Sequence, residues 1–334
     1  MISQNTNIHP NFGFLSLCYH YIRPKKELDS FPRLLGIDIQ EFQNHLDMLQ
    51  KNYEILDLND ILNFFKHKNQ NQFKKIGMLL TFDDGLSDHY EVAKILHQNN
   101  IRGIFFIPTC IVDEKLPANP IIIHYVIANF GISTFIDEFN SAKKNFNLQN
   151  EDFNLNYSSG DDIWKIISKI KTIFKYTLDY SLSRQILLQI YENVFLSKFP
   201  NAMEIMHLTK DQISDMIQMG HSIGTHSHTH ISLHGQNYPK NIFDKEIIYP
   251  KNFLDSTFEI DTLSMSYPFG QPQDCFSSND LTILTNDYDL CFTVNDILNT
   301  SQTSPLEIGR YLPLSSDSTS ILDKKLRNIV SNHK

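Results

Sequence analysis

Positive charge is the first thing this 334-residue chain is short of. It has 29 Lys and Arg against 38 Asp and Glu, a net charge of −9, and no stretch gathers basic residues into a patch. That argues against a nucleic-acid partner held through phosphate contacts. Long apolar runs are missing too. Nothing approaches the ~18 apolar residues of a membrane-spanning helix, and the longest candidate, 121–127, is interrupted by His124. The polar start, with Asn5, Asn7, His9 and Pro10, lacks the basic opening and apolar core of a secretory signal. The expected location is therefore cytoplasmic. Cysteines are few, and Cys18, Cys110, Cys275 and Cys291 form no C-x-x-C pair. They read as small core residues in a reducing compartment. Glycine is scarce, at 12 residues, but 24 Phe, 14 Tyr and 41% apolar residues provide for a sizeable core.

Most of the chain alternates between strand and helix patterns. Strands are expected at 14–19, 53–56, 76–82, 103–107, 222–225, 263–267, 290–294 and 308–314. Between them fall helical spacings at 39–51, capped by Asp38, and at 58–65 and 88–98. Thr209 and Gln212 form a capping box for a helix ending before Gly220. Two more helices are expected, around 242–253, disturbed by Pro250, and at 281–285. The alternation stops over 112–207, where helical patterns at 121–130, 163–176 and 183–195 surround an Asn-rich stretch, 139–160, that reads as a loose loop. The expected architecture is α/β: a single domain over 1–334, a distorted (β/α) barrel of about 7–8 strands with a helical insertion at 112–207 and its site at the C-terminal strand ends.

One such end carries Thr81-Phe82-Asp83-Asp84-Gly85. An apolar strand terminates in two carboxylates, and side chains on a strand alternate faces, so Asp83 and Asp84 point apart and can hold different jobs. Taken alone, Asp84-Gly85 is also an ordinary turn pair. The second signal is the segment 220–230 with His234 just beyond: five of the fourteen histidines fall within fourteen residues. His226 and His230 are spaced i, i+4, so a helical turn would put both imidazoles on one ion. Two nitrogens plus the Asp84 carboxylate leave coordination positions open, which is a catalytic arrangement. Asp83, aimed elsewhere, would then serve as general base. Zn²⁺ is the default ion, with Co²⁺, Ni²⁺ or Fe²⁺ also suited to imidazole.

Thr81–Gly85 followed by His226-Ser227-His228-Thr229-His230 resembles the polysaccharide deacetylases, carbohydrate esterase family 4, with the NodB homology domain. Ser266-Tyr267-Pro268-Phe269-Gly270 is similar to that family's third motif, in a sub-group with a Tyr-Pro-Phe-Gly version, and the likeness spans 14–112 and 207–314. The resemblance implies metal-dependent removal of an N-acyl, usually N-acetyl, group from an amino sugar. It implies Asp83 as base, Asp84, His226 and His230 as metal ligands, Ser227 or Thr229 as supports of the histidine loop, and the Phe269 backbone N–H as a donor to the oxyanion.

The chain departs from the family in two places. Ser266 stands where an arginine usually steadies the catalytic aspartate, and Arg310, in the last expected strand, is the substitute. The family's late histidine, the general acid for the leaving amine, has no clear counterpart; His20, His124 and His333 are the candidates. The implied substrate is an N-acylated amino sugar in cell-surface polysaccharide or lipopolysaccharide assembly, nucleotide- or lipid-linked. The alternatives are a non-catalytic carbohydrate-binding protein that keeps the fold and metal, and a hydrolase of a non-sugar amide.

Overall fold

The computed structural model describes residues 13–67, 73–148, 153–158, 160–233, 240–275, 284 and 287–332. Nine strands lie among them: β1 (Phe14–Tyr19), β2 (Ile22–Arg23), β3 (Ile37–Asp38), β4 (Glu54–Leu56), β5 (Gly77–Phe82), β6 (Ile104–Ile107), β7 (Ser222–Thr225), β8 (Ser264–Ser266) and β9 (Leu290–Phe292). Seven form one parallel sheet in the order β1-β5-β6-β7-β8-β9, with β4 on the first half of β5; β2 and β3 pair by themselves. One face packs on helices through Leu15, Leu17, Met78 and Leu80, and the other gathers Phe14, Leu79, Phe106 and Phe292 from different strands, which is why β1 and β5 are buried at every residue and read as apolar runs without alternation. The sheet curls into a half-barrel.

The edges of that curl meet through a single segment. The expected eighth strand at 308–314 is instead two isolated parallel bridges, Phe292 to Ile308 and Leu17 to Tyr311. Gly309 and Arg310 lie between them, so the segment steps across the gap from β9 to β1 rather than running along either. Arg310 is thereby carried into the barrel mouth. The helix Ile39–Asn52 starts where expected, with the Asp38 side chain accepting from Gln40 N–H at 2.8 Å. The Thr209–Gln212 capping box forms at the head of the helix Lys210–Gln218, and Gly220 follows with φ +90°.

The insertion is more helical than its sequence pattern suggests. The helices Asn119–Phe130, Ile132–Asn145, Ile163–Thr172, Tyr180–Ile190 and Ala202–Met206 run through it. The expected loop at 139–160 is overturned over its first residues. Phe135, Ile136, Phe139 and Ala142 are buried, a 3.6-residue stripe that the surrounding asparagines obscured. Two helices widen into π turns, Ile173–Thr177 and Tyr191–Leu196. A third π stretch, Asp244–Ile248, joins the helices Lys240–Phe243 and Tyr249–Phe258 without a break in helical backbone. Pro250 directly follows this π stretch, where the helical ladder is already widened. The expected helix at 281–285 lies outside the described residues save Leu284. A continuous apolar core joins β1, β5 and β6 to the insertion through Tyr125, Phe135, Leu187 and Phe195.

Candidate active site and metal centre

The C-terminal ends of β1, β5, β7 and β8, together with Arg310, meet at the mouth of the half-barrel. Four of the eight non-glycine residues with positive φ among the described residues stand here: Asp84 (78°), Ser227 (56°), His230 (65°) and Phe269 (64°). Such backbone is strained for ordinary side chains and persists only where the surroundings hold it. Gly85, φ +55°, completes the first turn; a Cβ there would lie 2.8 Å from Ile111 Cδ1.

The turn sends the two carboxylates apart. Asp84 Oδ1 lies 3.3 Å from His226 Nε2 and 3.1 Å from His230 Nε2. All three side chains are buried, and their ligand atoms fall within 4.8 Å of one another. His226 Nδ1 donates to the Ser266 carbonyl at 2.8 Å, which leaves its Nε2 a bare lone pair. Asp84 Oδ1 and His226 Nε2 have no hydrogen-bond partner although both are inaccessible. Two buried acceptors facing each other are costly without a cation between them. Two imidazoles and one carboxylate around that point suit a divalent ion of the zinc type. Burial pushes the Asp84 carboxyl up, but the flanking His230 and His226 outweigh it and hold the acid well below the usual range.

The histidine turn is stapled from three sides. Ser227 Oγ accepts from His230 N–H at 2.9 Å. The loop after β6 donates to the turn's carbonyls, from Thr109 N to Ser227 O and from Cys110 N to His228 O. The third staple is Glu246, which no motif pointed to. Its buried carboxylate accepts from His228 N (3.0 Å), Thr229 N (2.9 Å), Thr229 Oγ1 (2.9 Å) and Tyr180 Oη (2.5 Å). Both expected supports therefore operate, Ser227 directly and Thr229 through Glu246. A lone Glu in the segment 244–248 carries no spacing that would reveal this.

Asp83 has a different environment. Arg310 Nη1 and Nη2 donate to its two oxygens at 2.7 Å each. Ser266 Oγ donates at 2.9 Å and Cys18 Sγ at 3.2 Å. Arg310 is fully buried, lies against the rings of Phe106 and Phe292, and also bonds Thr81 Oγ1, Ser266 Oγ and the Thr293 carbonyl. Burial pushes the Asp83 carboxyl up, and the guanidinium with His226 behind it overrides this and keeps the group ionised. Arg310 thus supplies the charge that faces Asp83, and Ser266 is a member of the same network. Cys18, His20 and Asp83 also cluster closely enough to suggest an ion. Both Asp83 oxygens are already engaged by the guanidinium, so that cluster reads as hydrogen bonding.

His20, at the end of β1, brings Nε2 to 3.9 Å from Asp84 Oδ2 and is partly exposed to the cleft. Its carbonyl accepts from His89 Nε2 at 3.0 Å when that nitrogen carries the proton. His124, on the insertion helix Asn119–Phe130, lines the same cleft, with Nδ1 3.3 Å from Tyr21 Oη. Burial depresses its basicity to about 3, which leaves it neutral and a poor proton donor at neutral pH. His333 lies outside the described residues. The Phe269 and His230 rings meet edge to face at 4.5 Å, and the Lys175 ammonium sits 3.8 Å from the Phe269 ring centroid. The cleft above these groups holds about 1,150 Å³ and is walled by the insertion, by residues 33–37 and by residues 312–316.

Residues 188–284 match the polysaccharide deacetylase family model, a stretch that holds both histidine ligands and the Tyr267–Gly270 turn. No curated protein matches the chain. Among solved structures, the Streptococcus pyogenes deacetylase PplD in complex with acetate aligns over 95% of this chain and 99% of its own, with TM-score 0.58 and 16% identity. IcaB from Ammonifex degensii covers 95% and 98% at TM-score 0.56 and 16% identity. A de-N-acetylase from Aggregatibacter actinomycetemcomitans covers 94% and 99% at 0.53 and 15%. These likenesses show a shared fold, and the half-barrel is theirs. The matched segment, 188–284, lies within the fold that these deacetylases share, and the two together support a hydrolase acting on amide bonds.

Proposed function

We propose that the protein is a metal-dependent deacetylase that removes an N-acyl, most simply N-acetyl, group from an amino sugar, and that it serves cell-surface glycan assembly on the cytoplasmic side. The observation that carries the reading is the split of two adjacent aspartates between two environments. Asp84 faces two imidazoles with an oxygen that lacks a partner, and Asp83 is held ionised by Arg310. A protein that only bound sugar would not need the second arrangement.

Asp84, His226 and His230 would hold the ion. When bound, a divalent cation supplies Lewis-acid charge at the acyl oxygen and makes a nearby water more acidic. Asp83 takes a proton from the attacking water, whose oxygen bonds to the acyl carbon. The Phe269 N–H, fixed by a left-handed backbone and the turn that follows, donates to the oxyanion. The carbon–nitrogen bond then breaks, and the nitrogen leaves as an amine with a proton from His20. The products are a carboxylate and an amino sugar. Arg310 holds Asp83 ionised through both its oxygens. All four cysteines are buried free thiols, which suits a reducing compartment.

Metal content and acetate release, measured together on a panel of N-acetylated amino sugars, test this. Asp84→Asn and His226→Ala should lose metal and activity together. Asp83→Asn should keep the metal and lose about 10²–10⁴-fold in rate, with substrate affinity nearly unchanged. Wild type and Asp83→Asn both inert, with both binding a glycan, would replace the enzyme by the sugar-binding reading. Hydrolysis confined to non-sugar amides would move the substrate class.

A further inference from the structure

The cleft is built from the wrong material for a soluble glycan alone. Sugar chains are held by polar side chains and aromatic faces, whereas a large share of this lining is aliphatic, supplied by Leu34, Ile123, Ile127, Ile132, Ile167 and Leu187 among others. Its volume, about 1,150 Å³, exceeds the usual range for a small-molecule pocket. One amino sugar at the metal ligands leaves much of it unfilled.

The rim has the same character. Leu35 and Trp164 are each 63% exposed, Leu314 is 51% exposed and Ile163 is 38% exposed, and all four line this cleft. They come from three separate segments, so the apolar patch is a product of the fold and of no single run. Trp164 is the only tryptophan in the chain. Exposed large apolar groups gathered at one opening mark an interaction surface.

Charge adds an independent observation. The helix Ile163–Thr172 and the turn after it, to Tyr176, carry Lys165, Lys169, Lys171 and Lys175 and no carboxylate, in a chain of net charge −9. Lys175 is engaged by Asp274 and Lys169 by the Asn154 carbonyl, while Lys171 faces the cleft. Only Ile170 of this helix is fully buried; Ile163, Trp164 and Lys165 stand exposed at its start. A basic helix with tryptophan and isoleucine at its outer end has the composition of one that lies on an anionic lipid surface.

We propose that the cleft takes an N-acylated amino sugar attached to a long apolar chain, drawn from an anionic lipid surface on which the helix Ile163–Thr172, Leu35 and Leu314 rest. The aliphatic wall would receive the chain, the metal ligands at its foot would receive the acyl group, and Lys165 with Lys171 at the cleft opening would face the lipid phosphates. This rests on the amide-hydrolase reading above, and its test separates the two.

Vesicle co-sedimentation of the full chain needs no turnover. We expect binding to phosphatidylcholine vesicles containing phosphatidylglycerol, weak binding to phosphatidylcholine alone, and loss of binding at high salt. Ile163→Ser with Trp164→Ser, and Lys165→Glu with Lys171→Glu, should each lower the bound fraction at least about tenfold, with metal content and circular dichroism retained. Leu196→Ser, an exposed apolar residue that does not line the cleft, should bind like wild type. Turnover is then compared for N-acetylglucosamine as its methyl glycoside, as its dodecyl glycoside, and as the N-dodecanoyl amide of the methyl glycoside. Preference for the second places the chain on the sugar's anomeric side, and preference for the third places it on the acyl side; either supports the proposal. Hydrolysis of all three at equal kcat/KM, or absence of vesicle binding, overturns the proposal and leaves the deacetylase standing. Self-association through the rim, seen as a dimer by light scattering that the Trp164 variant abolishes, would also overturn it. Inertness toward all three with vesicle binding intact would count against the deacetylase reading and, with it, against the chain-bearing substrate.

Discussion

The mouth of the half-barrel and the helical insertion beside it are held by opposite means. At the mouth, buried polar atoms are locked by directional bonds: the Asp83 carboxylate accepts four, two from the guanidinium and one each from Ser266 and Cys18, while its backbone N–H donates to the Tyr19 carbonyl. Strained φ angles recur at Asp84, Ser227, His230 and Phe269. The insertion is held chiefly by apolar contact, with Phe135, Leu187 and Phe195 in the common core, and two of its helices relax into π turns. Two buried carboxylates join the regions. Glu246 ties Tyr180 to the histidine turn, and Asp274 ties Lys175 and Tyr176 to Ser232 just beyond it. The difference teaches where precision is needed. Reacting atoms require placement that only hydrogen bonds give, whereas a wall that receives a flexible chain needs only shape and apolarity.

The comparison breaks most visibly at Arg310. Arg310→Met would leave Asp83 ionisable, buried and without its countercharge. Removing one partner of a buried pair costs about 3–5 kcal/mol, and urea unfolding at neutral pH should register a loss of that order. The same substitution in an Asp83→Asn background should cost far less, because no charge is stranded. If both backgrounds lose equally, the guanidinium acts by packing on Phe106 and Phe292, and the electrostatic account of the mouth fails.

Glu246 and Asp274 sharpen the contrast. Glu246→Gln puts an N–H₂ where two backbone amides and two hydroxyls need acceptors, so the histidine turn loosens. Supports behind metal ligands typically change affinity about 10–100-fold, and zinc titration should show a weakening in that range with a stability loss of about 1–3 kcal/mol. Asp274→Asn should act on the other region. Its metal affinity should stay within about twofold of wild type, while KM rises several-fold as Lys175 and Tyr176 lose their anchor. Equal metal affinities in the two variants would mean that the carboxylates do not divide the work as described.

The mouth was legible in the sequence because its chemistry is local. Asp83 and Asp84 are adjacent, His226 and His230 are four apart, and Phe269 sits in a short turn motif, so spacing alone brings each group near its position. Arg310 was reachable only by asking what replaced the charge missing at Ser266. Glu246 was not reachable, since its four donors come from His228, Thr229 and Tyr180 and no period links them. The helix Ile132–Asn145 was hidden because its last turns merge into an asparagine-rich run, Asn140 to Asn156, that reads as loop. The strand expected at 308–314 failed for a topological reason: a segment that crosses between two sheet edges makes one bridge on each side and cannot run in register with either. The cleft wall was invisible as a site because each aliphatic residue also reads as ordinary core.

The smallest expected effect concerns a histidine that belongs to neither region but to the sheet behind them. His221 Nδ1 accepts from the Gly103 N–H at 3.1 Å, so its proton sits on Nε2, which donates to the Ala93 carbonyl at 2.9 Å. The ring lies edge-on to Phe105. A second proton would have to displace the Gly103 N–H. Burial pushes the imidazole below its ordinary pKa of 6.5; the Ala93 carbonyl opposes this, and the nearby His97 and Arg102 push it further down. The folded pKa is therefore the lower one, and the unfolded chain takes up its proton first as pH falls. The stabilising difference is complete above about pH 6.5 and is lost as acid is added below it, with a slope of up to about 1.4 kcal/mol per pH unit. His221→Gln offers an acceptor to Gly103 and a donor to Ala93 and does not titrate. From pH 7 to pH 5 the unfolding free energy should fall further for wild type than for His221→Gln. Buried His45 and His89, also held below their ordinary pKa, add the same background slope to both proteins, so the difference isolates His221. Identical slopes would mean that the ring keeps its ordinary pKa in the fold and that the Gly103 bond does not select its neutral form.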